Sequence, residues 1–232
     1  MDAAARPIGP EVDPAPARRP ERVPLSGRFV RLEPLDAAAH GPALWRNVQG
    51  DDTLWDYLFD GPYADEAAFS AALAAKAASA DPLFWAIVDQ TSGEAVGFAA
   101  LMRHDPAHRC IEVGNILFSP ALQRRPGATD AMALLARHAF DVLGYRRYEW
   151  KCNALNAPSR AAAERLGFVF EGVFRRHMIV KGRNRDTAWY AMTDGDWPAV
   201  RQALALWLAP ENFDAAGRQR RGLAALRATP PA

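Results

Sequence analysis

The chain has 232 residues, half of them apolar and 24% charged, which suits one globular domain that builds its core without disulfides or metals. The net charge of +1 gives no general electrostatic case for binding nucleic acid or a membrane surface. No apolar run reaches the ~20 residues that span a bilayer, and charges and prolines interrupt the N-terminus where a signal peptide would be apolar. Two cysteines in strand-like runs, Cys110 and Cys152, indicate buried, reduced thiols, so we expect a cytoplasmic protein.

Residues 1–23 are rich in proline, alanine and arginine, which predicts a flexible lead. Ordered structure should begin with a strand at residues 28–33, where apolar and polar side chains alternate. Asp36 is a suitable N-cap for a helix that ends near Val48.

Residues 51–63 interleave acidic and aromatic side chains before a Gly-Pro turn. One interpretation is a substrate-binding lip in which Trp55, Asp56 and Tyr57 receive a cationic acceptor. The other is a short amphipathic segment whose rings pack into the core while its acids face water. The sequence leaves both open, and one segment could do both.

Further elements follow in the order helix, hairpin, strand, helix, strand, helix, two strands and helix. The predicted bounds are a helix at 65–79 capped by Asp65, strands at 83–88, 95–102 and 110–118, a helix from 126 to about 144, a strand at 146–152, a helix at 156–167, strands at 168–180 and 186–192, and a helix to about 208. We therefore predict one domain over residues 24–208 and an alanine- and arginine-rich tail over 209–232. A basic stretch at 218–227 could contact a partner, or be solvated or frayed.

Glu112 is a carboxylate in an otherwise apolar strand. Period-two alternation places it on one face with Cys110, Gly114, Ile116 and Phe118. Burial would suit the carboxylate to accepting a proton near neutral pH. The alternative is a structural carboxylate bonded to a neighbouring strand or an arginine.

The turn after this strand is basic and leads into a helix. Arg124 and Arg125 bring positive charge, Pro126 fits a first helical turn, and Gly127 allows close backbone approach. Ala128 and Thr129 could leave N–H groups free, and a diphosphate would suit such a helix N-terminus. Basic residues before helices are also common as solvated groups.

Farther along, Asn156 is a good N-cap for the next short helix. Taken together, the order of these features resembles the GCN5-related N-acetyltransferases (GNAT), and most of all the branch that acetylates the N-termini of ribosomal proteins. The segments that carry the resemblance are Ala128-Thr-Asp-Ala131, Asn156-Ala-Pro-Ser159, Arg165-Leu-Gly-Phe168, Glu171-Gly172 and the hairpin from Gly182 to Asp186-Thr187.

The resemblance implies an α/β (α+β) domain with a mixed, mostly antiparallel sheet of about seven strands and helices on both faces. It implies direct transfer of an acetyl group from acetyl-CoA to a primary amine, with no metal. The acceptor would be a small-molecule amine or a protein N-terminus, neither nucleic acid nor membrane being expected, and homodimers are common in the family. The implied roles are pairing of the pantetheine arm by Ile116, Leu117 and Phe118, diphosphate binding by residues 124–129, a bond near the thioester from Asn156, and proton acceptance by Glu112, directly or through water.

Two positions depart from the family pattern. Pro126 stands where the first motif glycine is usual, so one backbone N–H is absent. Ala163 stands where many members carry a proton-donating tyrosine, and we expect Ser159, one helical turn away, to replace it. These departures keep a second hypothesis open, a non-catalytic acyl-CoA-binding sensor or partner subunit. A covalent route through Cys152 is disfavoured, because its neighbours indicate a packed thiol.

Overall fold

The computed structural model describes residue 6 and residues 8–228. Residues 1–5, 7 and 229–232, which belong to the predicted lead and tail, lie outside the described residues. Eight strands are present: β1 (Leu25–Ser26), β2 (Val30–Pro34), β3 (Leu83–Asp89), β4 (Ala95–Asp105), β5 (Cys110–Phe118), β6 (Arg147–Asn153), β7 (Val169–Val180) and β8 (Arg183–Thr193). The α-helices are α1 (Ala37–Val48), α2 (Glu66–Ala78), α3 (Pro126–Arg137), α4 (Ala157–Leu166), α5 (Trp197–Leu208) and α6 (Leu223–Arg227). Within the described part of the chain, none of the helices is long and apolar enough to cross a membrane.

All eight strands form one sheet in the order β1-β2-β3-β4-β5-β6-β8-β7. Only the β5–β6 pair is parallel, because α3 carries the chain across the sheet between them. The mixed, mostly antiparallel sheet is as predicted. Its strand number is eight, not about seven, because the two-residue β1 pairs with β2 just after the proline-rich lead.

Helices cover both faces of the sheet, as predicted. On one face, α1 and α2 pack on β3 and β4 around Leu44, Phe69 and Phe98. On the other face, α3 to α6 build the larger core, with Leu135, Tyr148 and other buried side chains. The predicted N-caps are formed, since the carboxylates of Asp36 and Asp65 and the side-chain oxygen of Asn156 accept first-turn N–H groups.

Both terminal segments contact the domain. In the described part of the lead, the N–H of Ala17 donates to Pro106 O at 3.0 Å, and Ala17 is 8% exposed. In the tail, α6 buries Leu223 and Leu226 against the larger core, whereas a solvated or frayed tail was expected. The reason is that the two leucines are three residues apart and share one face of a short helix. The boundaries 24 and 208 stay a prediction.

Candidate active site

Strands β5 and β6 lie side by side only over their first four residues. Their pairing runs from Cys110↔Arg147 to Val113↔Trp150 and then stops. Beyond that point β5 pairs only with β4, and β6 only with β8. The polar backbone of residues 114–118 is therefore open towards β6, and an extended ligand can add there as a strand. Ile116, Leu117 and Phe118, for which the resemblance implied this role, form that open segment.

A β-bulge sits in the middle of the open segment. Asn115 has a φ of 49°, and the register with β4 shifts between Ala100↔Gly114 and Phe98↔Leu117, which leaves one extra residue in β5. Because a bulge resets the period-two alternation, Ile116 packs with the larger core while Glu112 faces the opposite side. The expectation that Glu112 shares a face with Ile116 and Phe118 is therefore wrong.

Glu112 is buried and paired with two cations. Its side chain is 4% exposed, and its Oε2 lies 2.5 Å from Arg103 NH1 and 2.8 Å from Lys151 Nζ. A Cβ placed on Gly114 would be 3.3 Å from Oε1 of Glu112. That Cβ would also lie 2.6 Å from Met102 Sδ, so the missing side chain of Gly114 makes room for Met102 beside the carboxylate oxygen that these cations do not hold.

The pair belongs to a ladder of alternating charges on the face of the sheet opposite the larger core. Lys151 Nζ also lies 2.6 Å from Oε2 of Glu149, Arg147 Nε lies 2.7 Å from Oε1 of Glu149, and Arg147 binds Glu171 through both guanidinium nitrogens. The ladder reads Arg103, Glu112, Lys151, Glu149, Arg147 and Glu171. Three cations alternate with three carboxylates, so the ladder is neutral.

Ser159 lies on the other face, where α4 packs on β6. Its Oγ accepts a hydrogen bond from Trp150 Nε1 at 3.0 Å, and its N–H donates to Asn156 Oδ1 at 3.0 Å. Trp150 is the last residue of β6 that pairs with β5, so the hydroxyl sits beside the gap. Trp150 occupies one lone pair, which leaves the hydroxyl proton for donation, and the Cys152 thiol is the group that this hydroxyl bonds in the protein.

The start of α3 matches the sequence expectation in part. Arg125 is the N-cap and Pro126 the first helical residue, and both Arg124 and Arg125 are exposed, so their charges can meet an anion. The N–H of Ala128, however, donates to Arg125 O at 3.1 Å. Ala128 therefore does not offer the free N–H group that was expected of it.

Gly127 and Thr129 are buried rather than open to a ligand. A Cβ on Gly127 would be 2.9 Å from Val30 Cγ1, so the glycine is needed where α3 rests on β2. Thr129 is 4% exposed, and its hydroxyl accepts a hydrogen bond from Arg165 at 3.0 Å. The side chains at both positions hold the helix in place, so the predicted contact of these residues with the diphosphate would have to be made by their backbone.

Residues 51–63, here called the lip, are partly core and partly surface. Trp55 is 3% exposed and packs edge-on against Tyr63 and Phe69. It cannot contact a substrate, so the predicted binding role of Trp55 is wrong and the packing interpretation holds for this ring. Asp56 and Tyr57 are exposed and remain available to a ligand.

The lip reaches over the open end of the two parted strands. Tyr57 Oη donates to the backbone oxygen of Leu155, which follows β6, at 3.3 Å. Lys181, in the turn between β7 and β8, donates from Nζ to the backbone oxygen of Trp55 at 2.6 Å. Two of the four acids in the lip are engaged, since Asp51 caps the turn that follows and Asp60 pairs with Lys76. Asp52 and Asp56 are exposed, so a role for the lip in binding a cationic acceptor rests on these two.

Five charged residues of this region escaped sequence analysis. Arg147, Glu149 and Lys151 alternate with apolar residues along β6, and that pattern of charges could have revealed the polar ladder. No sequence pattern around Arg103 predicted its ion pair with Glu112. Arg185 fell in what was taken as a connecting turn, but β8 begins at Arg183 and not at Asp186.

Acetyl-CoA fits this arrangement in shape and charge. The open backbone of residues 114–118 suits its amide-bearing arm, and the exposed Arg124 and Arg125 suit its diphosphate, although Pro126 supplies no N–H. Among the described residues, no group of three His, Cys, Asp or Glu side chains is placed to hold a metal ion.

Comparisons with known proteins define the class. A family model described as an acetyltransferase (GNAT) domain matches residues 30–169. The crystal structure of a GCN5-related N-acetyltransferase from Brucella melitensis superposes with a TM-score of 0.90 at 51% identity, covering 92% of this chain and 97% of that one. A GNAT-family acetyltransferase structure from Chromobacterium violaceum ATCC 12472 has a TM-score of 0.77 at 43% identity, covering 84% and 100%.

A curated relative in Bacillus subtilis (strain 168), provisionally named as the ribosomal N-acetyltransferase YdaF, is 29% identical over 105 residues. That match covers 45% of this chain and 57% of the length of the relative. The protein described here belongs to the GNAT family and is an acyl-CoA-dependent acetyltransferase, which confirms the family inferred from the sequence.

Proposed function

We propose that this enzyme transfers an acetyl group from acetyl-CoA directly to a primary amine, with Glu112 and Ser159 as its proton acceptor and proton donor. One observation carries the proposal: the two side chains lie on opposite faces of the sheet, both next to the gap between β5 and β6. An amine approaching from one face and a thiolate leaving on the other would each meet a group able to handle its proton.

Glu112 is proposed to accept the proton of the attacking amine through Oε1. The ion pairs from Arg103 and Lys151 are made to Oε2, while Oε1 lies beside Gly114, where the side chain of Met102 fills the space above the glycine. An amine, or a water that bridges to it, would reach Oε1 without displacing either cation once the flexible Met102 side chain moves aside. A protonated amine is not a nucleophile, so its proton must be removed before attack.

Ser159 is proposed to protonate the leaving thiolate, with Asn156 fixing the start of α4 beside it. The open backbone at residues 116–118 would hold the pantetheine arm, and Arg124 and Arg125 the diphosphate. When bound, acetyl-CoA supplies an activated acetyl thioester. Binding both reactants in one gap would supply much of the remaining rate through orientation.

The acceptor is proposed to be a small-molecule amine or a protein N-terminus. The name of the Bacillus subtilis relative, which refers to ribosomal N-acetylation, supports including N-terminal peptides among the candidates. We propose that the protein assembles as a homodimer, which the mass of the protein in solution tests.

The experiment that tests the proposal is thiol release from acetyl-CoA, measured against a panel of primary amines and N-terminal peptides. We expect release that depends on at least one amine and scales with enzyme. Tight binding of coenzyme A with no amine-dependent release across the panel would instead indicate a non-catalytic acyl-CoA-binding module.

A further inference from the structure

Arg185 is a buried arginine without a counter-ion. It is 6% exposed, and among residues 6 and 8–228 no side chain or backbone group forms an ion pair or hydrogen bond with its guanidinium. The contact that it does make is with the ring of Phe59 in the lip, 4.8 Å from Cζ to the ring centroid. Burial lowers the pKa of this guanidinium. Burying an arginine without a partner anion is costly, so its retention calls for a reason.

Three carboxylates of the sheet and the lip are already engaged by other groups. Glu112 belongs to the neutral ladder and is held by Arg103 and Lys151. Asp60 of the lip is bound to Lys76 and Tyr63. Asp186, the neighbour of Arg185 in the chain, accepts bonds from the N–H of Arg176 and from Asn184. None of these carboxylates is bonded to Arg185, although the charge of Glu112 still raises the pKa of its guanidinium against the effect of burial.

Arg185 lies on the acceptor face of the sheet, the face that bears Glu112. Tyr190 and Ala188 of β8 point into the larger core, so the alternating residues Arg185, Thr187 and Trp189 point the other way. The ring of Trp189 lies 4.0 Å from Lys151 Nζ, which binds Glu112.

The register places Arg185 at the open end of the gap. Thr187 pairs with Asn153, the last residue of β6, so Arg185 lies just past the end of that strand. The lip, through Phe59, covers it from above. An anion bound to Arg185 would thus sit under the lip, on the same face as the Oε1 atom of Glu112.

We propose that Arg185 binds a carboxylate of the acceptor, which makes the preferred substrate a primary amine that also carries a carboxylate. The inference rests on the proposed function and names the substrate class of the same site. A planar guanidinium binds a carboxylate through two parallel hydrogen bonds, and this contact would fix the orientation of the amine towards Glu112. The carboxylate could belong to a free amino acid or to an acidic side chain close to a peptide N-terminus.

The test compares matched acceptors that differ only in the carboxylate. Serine with ethanolamine, and β-alanine with propylamine, form the small-molecule arm. Two N-terminal peptide amides, seryl-glutamyl-alanine and seryl-glutaminyl-alanine, form the peptide arm. The wild-type enzyme should prefer the acidic member of at least one arm by about 10- to 100-fold in kcat/KM, and the arm that shows the preference identifies the source of the carboxylate.

Arg185→Gln should abolish that preference, mainly through a higher KM for the acidic member, with little change for the neutral one. Arg183→Gln is the matched control, because Arg183 is an exposed arginine on the same strand, and it should keep the preference. Equal rates for both members of every pair in the wild-type enzyme, or a preference that survives Arg185→Gln, would overturn the proposal.

A binding measurement separates this inference from the proposed function. Calorimetric titration of serine, β-alanine and the acidic peptide into the enzyme with coenzyme A present should show binding that Arg185→Gln removes. That result would support the role of Arg185 even if no amine were acetylated. Binding that is unaffected by Arg185→Gln, or no binding of any acidic acceptor, would contradict it.

Discussion

The ammonium of Lys151 lies 2.8 Å from Oε2 of Glu112 and joins that carboxylate to Glu149. Glu112 was expected to be either a base among apolar neighbours or a structural carboxylate bonded to an adjacent strand. It has the ion pairs of the structural carboxylate, and its Oε1, which neither cation holds, is the atom through which it would act as a base. Lys151 is thus the residue through which the stability of the sheet and the proposed chemistry are connected.

Replacing Lys151 by Met should destabilise the protein strongly. The side chains of Lys151 and Glu112 are 7% and 4% exposed. Removing the Lys151 ammonium takes a positive partner away from two buried carboxylates, those of Glu112 and Glu149. We expect a loss of about 3 kcal/mol in the free energy of unfolding, measured by denaturant titration. The control is Arg46→Ala, which breaks an exposed pair with Glu94 and should cost less than about 1 kcal/mol. Equal losses in the two variants would contradict this view of the ladder.

The free energy of unfolding should fall on acidification, because Glu149 and Glu171 then become protonated. Burial alone would raise the pKa of Glu149, but hydrogen bonds from Lys151 and Arg147 outweigh it and lower the pKa from its ordinary 4.5. A hydrogen bond from Arg147 lowers the pKa of Glu171 in the same way. Because the folded pKa values lie below the unfolded ones, the stabilisation is present above pH 4.5 and is lost as the pH falls through the folded values.

The check is denaturant unfolding at a series of pH values from about 6 down to about 3. Arg147→Met removes the partner of both carboxylates, so the variant should be less stable near neutral pH and lose less on acidification. Parallel curves for the wild-type protein and the variant would rule out this origin of the pH dependence.

Ser159→Ala should lower kcat for acetyl transfer by about 10- to 100-fold while leaving coenzyme A binding nearly unchanged. The reason is that the leaving thiolate would lose its proposed proton donor, whereas the cap at Asn156 uses the backbone N–H of residue 159 and persists. Cys152→Ala is the companion variant, since burial raises the pKa of the Cys152 thiol and makes a thiolate nucleophile unfavourable. Steady-state kinetics should show near-normal turnover for Cys152→Ala, and its loss would revive a covalent route.

Arg185→Met should raise the melting temperature. If the guanidinium is buried to serve a ligand, removing it relieves an uncompensated charge and retains the contact with Phe59. A gain on the order of 2–4 °C corresponds to about 1 kcal/mol in a protein of this size. Arg183→Met should leave the melting temperature unchanged. A lower melting temperature for Arg185→Met would mean that Arg185 is a structural residue.

Most helices and strands of the fold could be predicted from local sequence patterns. The caps at Asp36, Asp65 and Asn156 were readable because each depends on a few adjacent residues. The two-residue β1 was missed, since its pairing with β2 is not encoded in a run of its own.

The site was less accessible to sequence reasoning, because its geometry depends on tertiary packing. The bulge at Asn115 inverts the face of every later residue of β5, and a non-glycine residue with positive φ leaves no pattern in the sequence. Gly127 suggested room for a ligand, but the room is filled by Val30. The isolation of Arg185 depends on where every nearby carboxylate points, which only the three-dimensional structure shows.

The most direct test of the central claim is the rate of thiol release from acetyl-CoA by Glu112→Gln, measured with the best amine of the panel beside coenzyme A binding. We expect kcat to fall by about 10²- to 10⁴-fold, as for loss of a general base. The dissociation constant of coenzyme A should stay nearly unchanged. The loss of kcat should be partly recovered at higher pH, because more of the amine is already unprotonated there. Turnover equal to that of the wild-type enzyme at neutral pH would contradict the assignment of Glu112 as the proton acceptor.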